Sequence, residues 1–121
     1  PLRVSEVDTL QHALVEAGFS SRLPMTDFLA LAKRLTATGA SLRRAGSGAL
    51  GLADVAAGRI EGYCELHINS WDCLAGILLI QEAGGWVNDF LANDGLTRGN
   101  AILATSPKLK DQLIAASGIP A

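Results

Sequence analysis

Apolar residues recur along this chain with two different spacings, and the spacings predict alternating strands and helices. Where they return every three or four positions, as over residues 25–36, the pattern is typical of a helix with one buried face. Short apolar runs between glycines and polar clusters indicate strands. The predicted helices cover residues 25–36, 49–57, 71–83 and 107–116. The predicted strands cover residues 3–5, 13–16, 40–45, 60–68, 86–89 and 101–104, and residues 91–100 are a predicted loop.

Glycine and proline positions support this division of the chain. Gly39 and Gly58 are expected to stop the first two helices, because glycine readily takes the left-handed conformation at a helix end. Pro107 is expected at the first position of the last helix, where its missing N–H is not needed. The order of the elements predicts an α/β fold, a layered sheet with flanking helices.

The predicted helix over residues 71–83 is apolar on nearly all sides. Leu74, Ile77 and Leu78 share one face, and small or apolar residues leave few polar positions elsewhere. A helix of this kind is normally buried. We therefore expect its far side to need a covering surface that this short chain does not supply.

The composition is that of one domain or of part of one. Of the 121 residues, 49% are hydrophobic and only 18% are charged, which indicates elements buried on more than one face. A formal net charge of −2 argues against a nucleic-acid partner, because such proteins normally carry a basic surface. No apolar stretch approaches the roughly 20 residues of a membrane-spanning helix, so no membrane partner is expected.

The cysteines and the first residues predict a cytoplasmic location. Cys64 and Cys73 are too few for a disulfide scaffold and are expected to be buried free thiols without a role as nucleophiles. The start at Pro1 lacks the basic and then apolar order of a secretion signal. Because the first residue is not Met, we expect the natural start to lie upstream or to have been removed.

Asp72 lies in the first turn of the predicted helix 71–83, with Ser70 as the expected N-cap. An acid there gains about 0.3–1 kcal/mol from the helix dipole, so an ordinary helix-start acid is one interpretation. A metal ligand is the other, since Mg²⁺ binds carboxylate oxygens together with water and substrate phosphate. One aspartate does not make such a site, but it can complete one.

Glu65 lies near the end of the predicted strand that leads towards Asp72. Ligands of open α/β sheets gather at the carboxyl ends of strands, where a carboxylate can accept hydrogen bonds from polyol hydroxyls. An exposed strand-end acid without a ligand is the alternative. His67, on the same strand, and His12, which has no supporting neighbour, are interpreted as structural.

Gly46, Ser47 and Gly48 connect a predicted strand to the predicted helix 49–57. Such a turn presents backbone N–H groups at a helix N-terminus, where an anion or a hydroxyl oxygen can bind. The same residue types also serve only to make the corner and cap the helix. Of the neighbouring Arg43 and Arg44, one could attract phosphate while the other lies in solvent.

Two motifs carry a resemblance to a known family, the pair Trp71-Asp72 and the tripeptide Ala-Gly-Gly at residues 83–85. At this spacing they resemble the C-terminal signature of the inositol monophosphatase family, Mg²⁺-dependent phosphatases of small sugar and polyol phosphates. The resemblance extends over most of the chain and is strongest over residues 44–85. It implies the sugar-phosphatase fold, Mg²⁺ as cofactor and a homodimer.

The resemblance also implies roles for single residues. Asp72 matches the aspartate that binds the family's second metal near the substrate hydroxyls, and Glu65 matches the polyol-binding glutamate. Gly46, Ser47 and Gly48 match a Gly-Thr-Ala-like turn that touches the sugar ring, with Gly48 in place of the more usual alanine. No catalytic set is complete within these residues.

The family's other metal ligands lie in an upstream Asp-Pro-x-Asp-Gly-Thr segment and an earlier glutamate, and residues 1–121 contain no such segment. Residues 1–121 are therefore expected to be the C-terminal α/β lobe of a longer protein, with the N-terminal metal-motif half absent. The missing N-terminal half would also cover the apolar surfaces of this one.

The implied function is Mg²⁺-dependent hydrolysis of a phosphate monoester of a small polyol or sugar by the parent protein. The chain alone is expected to be inactive. The alternative is a non-catalytic sugar-phosphate-binding or interaction lobe that needs a separate N-terminal half, and a structural domain without a ligand is the third interpretation.

Overall fold

One mixed sheet of five strands forms the centre of the computed structural model, which describes residues 1–121. The strands are β1 Leu14–Gly18, β2 Ser41–Arg43, β3 Gly62–Ile68, β4 Trp86–Val87 and β5 Asn100–Thr105. The helices are α1 Met25–Ala37, α2 Gly48–Ala56, α3 Ser70–Glu82, α4 Gly95–Arg98 and α5 Lys110–Ser117, with 3₁₀ turns at Leu10–His12 and Ala92–Asp94.

The sheet has a parallel part and an antiparallel part, and its strand order is β2-β1-β3-β5-β4. β1 lies between β2 and β3 and is parallel to both. β5 is antiparallel to both β3 and β4. The carboxyl ends of β1, β2 and β3 therefore lie at one edge, which is where ligands gather in open α/β sheets.

Side chains alternate between the two faces of the sheet and so build two cores. Val15 and Ala17 of β1 pack with Cys64 of β3 in the core that α1 and α5 cover. Tyr63 of β3 and Ile102 of β5 pack in the core that α2 and α3 cover. Helices on both faces of the sheet give three layers.

The predicted α/β layering is confirmed, and the first three predicted helices occur as α1, α2 and α3 with each end shifted by no more than one residue. Gly39 follows α1 with a φ of +91° and donates its N–H to Thr36, as expected of a helix stop. Gly58 has a φ of +73° after α2.

The strand predicted at residues 3–5 is wrong. Val4 donates its backbone N–H to the Ala83 carbonyl at 3.1 Å and is buried in the core under α2 and α3, but its segment pairs with no strand. A buried valine in an extended segment has the local pattern of a strand. Only the presence or absence of a neighbouring strand separates the two.

The predicted N-cap of the third helix and the predicted start of the last helix are also wrong. Asn69 is the N-cap residue of α3, and Ser70 is the first helical residue. The Ser70 hydroxyl donates to the Leu96 carbonyl at 2.7 Å and does not cap the helix. Asp72 is therefore the third residue of α3 and still lies in its first turn. Pro107 lies in a turn, and α5 begins only at Lys110.

The short elements differ most from prediction. β2 and β4 are shorter than expected, and the predicted loop 91–100 contains α4 and a 3₁₀ turn. Asn93 and Asp94 take left-handed conformations there, with φ values of 55° and 62°. The Asn100 side chain donates to the Ala92 carbonyl at 3.0 Å, a contact that a local pattern of residues does not reveal.

α3 is buried on one side and exposed on the other. Cys73 and Ile80 lie in the core, whereas Trp71 is 73% and Leu78 58% exposed. The far side of this apolar helix thus lacks a cover within the chain, in agreement with the sequence pattern. None of the helices combines the length and the apolar content that crossing a membrane requires.

We predict that Gly76→Ala destabilises the protein, because α2 and α3 pack closely at this residue. A Cβ at residue 76 would come within 2.6 Å of Leu52 Cβ. The free energy of unfolding should fall by about 1–3 kcal/mol, although alanine has the better helix propensity. Urea unfolding followed by circular dichroism measures the change, with Ala75→Ser on the exposed side of α3 as control. Equal stability of Gly76→Ala and the parent would contradict this packing.

Candidate functional site

A cavity of about 310 Å³ opens at the carboxyl ends of β1 and β3. Glu65 lines it from β3, and Asp72 lines it from the first turn of α3. The turn before α2 completes the wall through residues 46–48. All the residues that sequence analysis proposed for substrate and metal therefore lie at one cavity, namely Gly46, Ser47, Gly48, Glu65 and Asp72.

The register between β1 and β3 decides which other side chains meet at this cavity. Glu16 pairs with Tyr63, and Gly18 pairs with Glu65. Side chains two residues apart on a strand share a face, so Tyr63 and Glu65 both point towards the layer of α2 and α3. Glu16 lies beside them and lines the same cavity.

Tyr63 and Glu65 form a buried hydrogen-bonded pair. The Tyr63 hydroxyl donates to Glu65 Oε1 at 2.6 Å, and the two residues are only 1% and 9% exposed. Burial raises the pKa of the Glu65 carboxyl, because a surrounding of low polarity disfavours its charge, while the bond from Tyr63 and the nearby His67 lower it. The charges of Asp72 and Glu16 add to the rise. Burial also raises the pKa of Tyr63, which therefore remains a proton donor.

Two glycines leave room for this pair. A Cβ at Gly18 would collide with both the Tyr63 hydroxyl and Glu65 Oε1. A Cβ at Gly48 would lie 2.8 Å from Ile68 Cδ1 and 3.2 Å from the Tyr63 hydroxyl. The glycine at residue 48, where the family resemblance implies alanine, therefore has a steric reason in this chain.

The turn over residues 46–48 combines both interpretations that the sequence allowed. Gly46 has a φ of +87°, a conformation that favours glycine. Ser47 is the N-cap of α2, and its Oγ accepts the Leu50 N–H at 3.3 Å. Since the Ser47 hydroxyl serves the cap, what the turn offers a ligand is the remaining unpaired backbone N–H groups at the start of α2.

Asp72 is exposed and fits a metal site as one ligand only. No three His, Cys, Asp or Glu side chains of this chain are grouped so that they could hold a metal ion. Mg²⁺ takes oxygen ligands in octahedral order, so the other ligands would have to come from water, a phosphate or residues outside 1–121.

A charged network beneath the cavity joins β1, β2 and α2. Arg43 Nη2 lies 2.6 Å from Glu16 Oε1 and 2.7 Å from Asp54 Oδ2. Glu16 is 1% exposed, and Arg43 is its ion-pair partner, which offsets the cost of burying the carboxylate. Bonds from Arg43 and Arg59 lower the pKa of Asp54. Arg43 is the last residue of β2, three residues before Gly46, and Asp54 lies in α2, so the network ties both sides of the turn over residues 46–48 to the sheet.

Arg44 lies at the cavity and makes no ion pair. Its guanidinium carbon lies 5.7 Å from the ring centre of Phe19 and 6.0 Å from that of Phe28. The two rings meet edge to face at 5.6 Å, and such contacts hold an arginine head over aromatic faces. The two neighbouring arginines therefore have different roles. Arg43 is bound to a buried carboxylate, whereas Arg44 is available to an anion.

Sequence analysis did not identify Glu16, Gly18, Phe19 and Tyr63 as residues of this cavity. Glu16 carried a signal, since it is the charged residue of an otherwise apolar predicted strand. Gly18, Phe19 and Tyr63 carried none, because their position at the cavity depends on the register between two strands that are distant in the chain.

The residues interpreted as structural do not line the cavity. His67 Nε2 lies 2.9 Å from the Arg98 carbonyl oxygen. Cys64 and Cys73 are buried free thiols, and burial raises the pKa of each to about 12. Neither cysteine therefore supplies a thiolate near neutral pH.

The sequence matches the model of the inositol monophosphatase family over residues 1–118. It is similar to proteins named Nus factor SuhB from two bacteria. The protein of Haemophilus influenzae is 42% identical over 115 residues, which cover 93% of this chain and 43% of that protein. The protein of Pseudomonas aeruginosa is 40% identical over 111 residues, which cover 88% of this chain and 41% of that protein.

Solved structures share the fold. SuhB of Mycobacterium tuberculosis superimposes with a TM-score of 0.82 and 37% identity, covering 95% of this chain and 44% of that one. An inositol monophosphatase from Anabaena (Nostoc) sp. PCC 7120 superimposes with a TM-score of 0.83 and 36% identity, covering 99% of this chain and 49% of that one. The chain thus spans less than half the length of each of these relatives.

We predict that Arg43→Met lowers the free energy of unfolding by about 2–4 kcal/mol, because it leaves the buried Glu16 carboxylate unpaired. Adding Glu16→Gln should recover part of this loss. Arg59→Gln is the matched control, since it removes only an exposed partner of Asp54 and should change the free energy by less than about 1 kcal/mol. Urea unfolding at neutral pH measures all of them. Equal losses for the two arginine variants would mean that Glu16 does not depend on Arg43.

Proposed function

The chain belongs to the inositol monophosphatase family, and from this premise we propose that the protein containing it hydrolyses phosphate monoesters of small polyols or sugars, with Mg²⁺ as cofactor. The observation that carries the proposal is the meeting of Glu65, Asp72 and the start of α2 at one cavity. Polyol hydroxyls, a cation and a phosphate each find suitable groups there.

Asp72 is the residue that would hold a metal ion. When bound, Mg²⁺ polarises the phosphate and makes its water ligand more acidic. The carboxylate of Asp72 is exposed at the cavity, so it can bind a cation without first leaving an ion pair. It stands as one ligand, and the upstream acidic segment of the family would supply the others.

Glu65 and the turn at residues 46–48 would hold the polyol. The Glu65 carboxylate accepts hydrogen bonds and does not donate them, so it suits substrate hydroxyls. Backbone N–H groups at the start of α2 donate, so they suit a hydroxyl or phosphate oxygen. Arg44, which has no carboxylate partner, would attract the negative charge of the substrate.

The remaining proposals concern the whole protein. Residues 1–121 would be its C-terminal lobe, and an N-terminal half would cover the exposed side of α3 around Trp71 and Leu78. In this proposal the isolated chain is inactive, and the parent protein is a homodimer in the cytoplasm. We also propose that the protein binds neither nucleic acid, in view of its net charge of −2, nor a membrane.

A second candidate function is binding without catalysis. For residues 1–121 alone it is favoured by the absence of a complete metal-ligand group, and the name Nus factor carried by the similar bacterial proteins does not refer to hydrolysis. A calorimetric titration with inositol 1-phosphate and Mg²⁺ tests it. Heat of binding without any release of phosphate by the full protein would favour this candidate over the phosphatase.

We predict that Asp72→Asn in the full protein lowers kcat at least about 100-fold, because the neutral amide binds Mg²⁺ weakly and each tenfold loss needs only about 1.4 kcal/mol. Phosphate release from inositol 1-phosphate at several Mg²⁺ concentrations measures the loss. Asp111→Asn is the matched control, since Asp111 is also an exposed acid in the first turn of a helix, α5. Near-parental turnover in Asp72→Asn would remove its role in metal binding.

A further inference from the structure

Tyr63 lies at the candidate site with its hydroxyl bonded to Glu65. Its ring is 1% exposed and packs against α2, where a Cβ at Gly51 would lie 2.5 Å from the ring carbon Cδ2. At the other end, Gly18 and Gly48 admit its hydroxyl beside the cavity. The ring is thus clamped, and the hydroxyl has one position.

The two oxygens of the Glu65 carboxylate differ in their hydrogen bonding. Oε1 accepts the Tyr63 hydrogen bond at 2.6 Å. Oε2 accepts no hydrogen bond from the chain. Because Oε2 is also not fully buried, it is open at the cavity. One carboxylate oxygen is therefore bound in a fixed direction, and the other is presented to a ligand.

The charges around Oε2 favour a neutral hydrogen-bond donor over an anion. Asp72 and Glu16 line the same cavity, and both make the charge of Glu65 less favourable. A substrate hydroxyl satisfies Oε2 without adding negative charge. A bound substrate that lacks this hydroxyl excludes water from Oε2 without replacing the hydrogen bond. The loss of binding free energy then exceeds the net contribution of an average hydrogen bond.

We propose that Tyr63 is a positioning residue that fixes the direction of the Glu65 carboxylate and thereby makes the site select a substrate with a hydroxyl donor opposite Oε2. This inference rests on the proposed function for its substrate class. Without the Tyr63 hydroxyl, the carboxylate is free to rotate towards water. A substrate that lacks the hydroxyl then loses less binding free energy than it does in the parent protein.

The test compares inositol 1-phosphate with its monodeoxy analogues in the full protein. The parent should prefer inositol 1-phosphate over one of these analogues by about 10- to 100-fold in kcat/KM, the range for a hydrogen bond to a charged group. Tyr63→Phe should reduce this preference at least threefold through KM, with kcat within about threefold of the parent. Thr105→Val is the matched control, because it removes another buried hydroxyl bond, to the Glu61 carbonyl, remote from Glu65.

An unchanged preference in Tyr63→Phe would overturn the inference, and a lower stability with that preference intact would show that the bond only satisfies a buried hydroxyl. Calorimetric binding of inositol and its deoxy analogues to the parent and to Tyr63→Phe is measured in parallel. If the parent releases no phosphate, the proposed function fails, while the ratio of these binding constants still decides the role of Tyr63.

Discussion

The parallel register between β1 and β3 is the constraint on which the candidate site depends. It places Glu16 beside Tyr63 and Gly18 beside Glu65, so that two carboxylates and a phenol share one face of the sheet. A shift of β1 by one residue would send Glu16 to the opposite face, under α1 and α5, and separate it from Tyr63 and Glu65. Gly18 strengthens the register, because only glycine at that position leaves space for the Tyr63–Glu65 pair.

The ion pairs of Arg43 hold α2 in place relative to these strands and so fix the shape of the cavity. Glu16 belongs to β1, Arg43 to β2 and Asp54 to α2, so one guanidinium links three elements. A buried carboxylate is unfavourable in any arrangement that removes its cation. The network therefore disfavours other placements of α2, whose first residues form a wall of the cavity.

Two features of the first turn of α3 leave the candidate site open on one side. Asp72 is exposed at the cavity without other carboxylates in position to complete a metal site, and Trp71 beside it is 73% exposed. Both belong to the first turn of α3, so an element that covered Trp71 would also lie next to Asp72. The chain spans less than half the length of the relatives that it matches.

The sequence by itself determined the helices α1, α2 and α3 within a residue at each end, the stop at Gly39, the α/β class, and the group of Glu65, Asp72 and residues 46–48. The helices, the stop and the fold class follow from local periodicity and capping, and the group of site residues follows from the motifs that carry the family resemblance. Tertiary structure alone decided the positions of Tyr63 and Gly18, the division of roles between Arg43 and Arg44, the unpaired segment around Val4, and the first residue of α5. Each of these depends on a partner distant in the chain, because burial, strand pairing and ion pairing are settled by contacts between elements and leave no mark on local sequence.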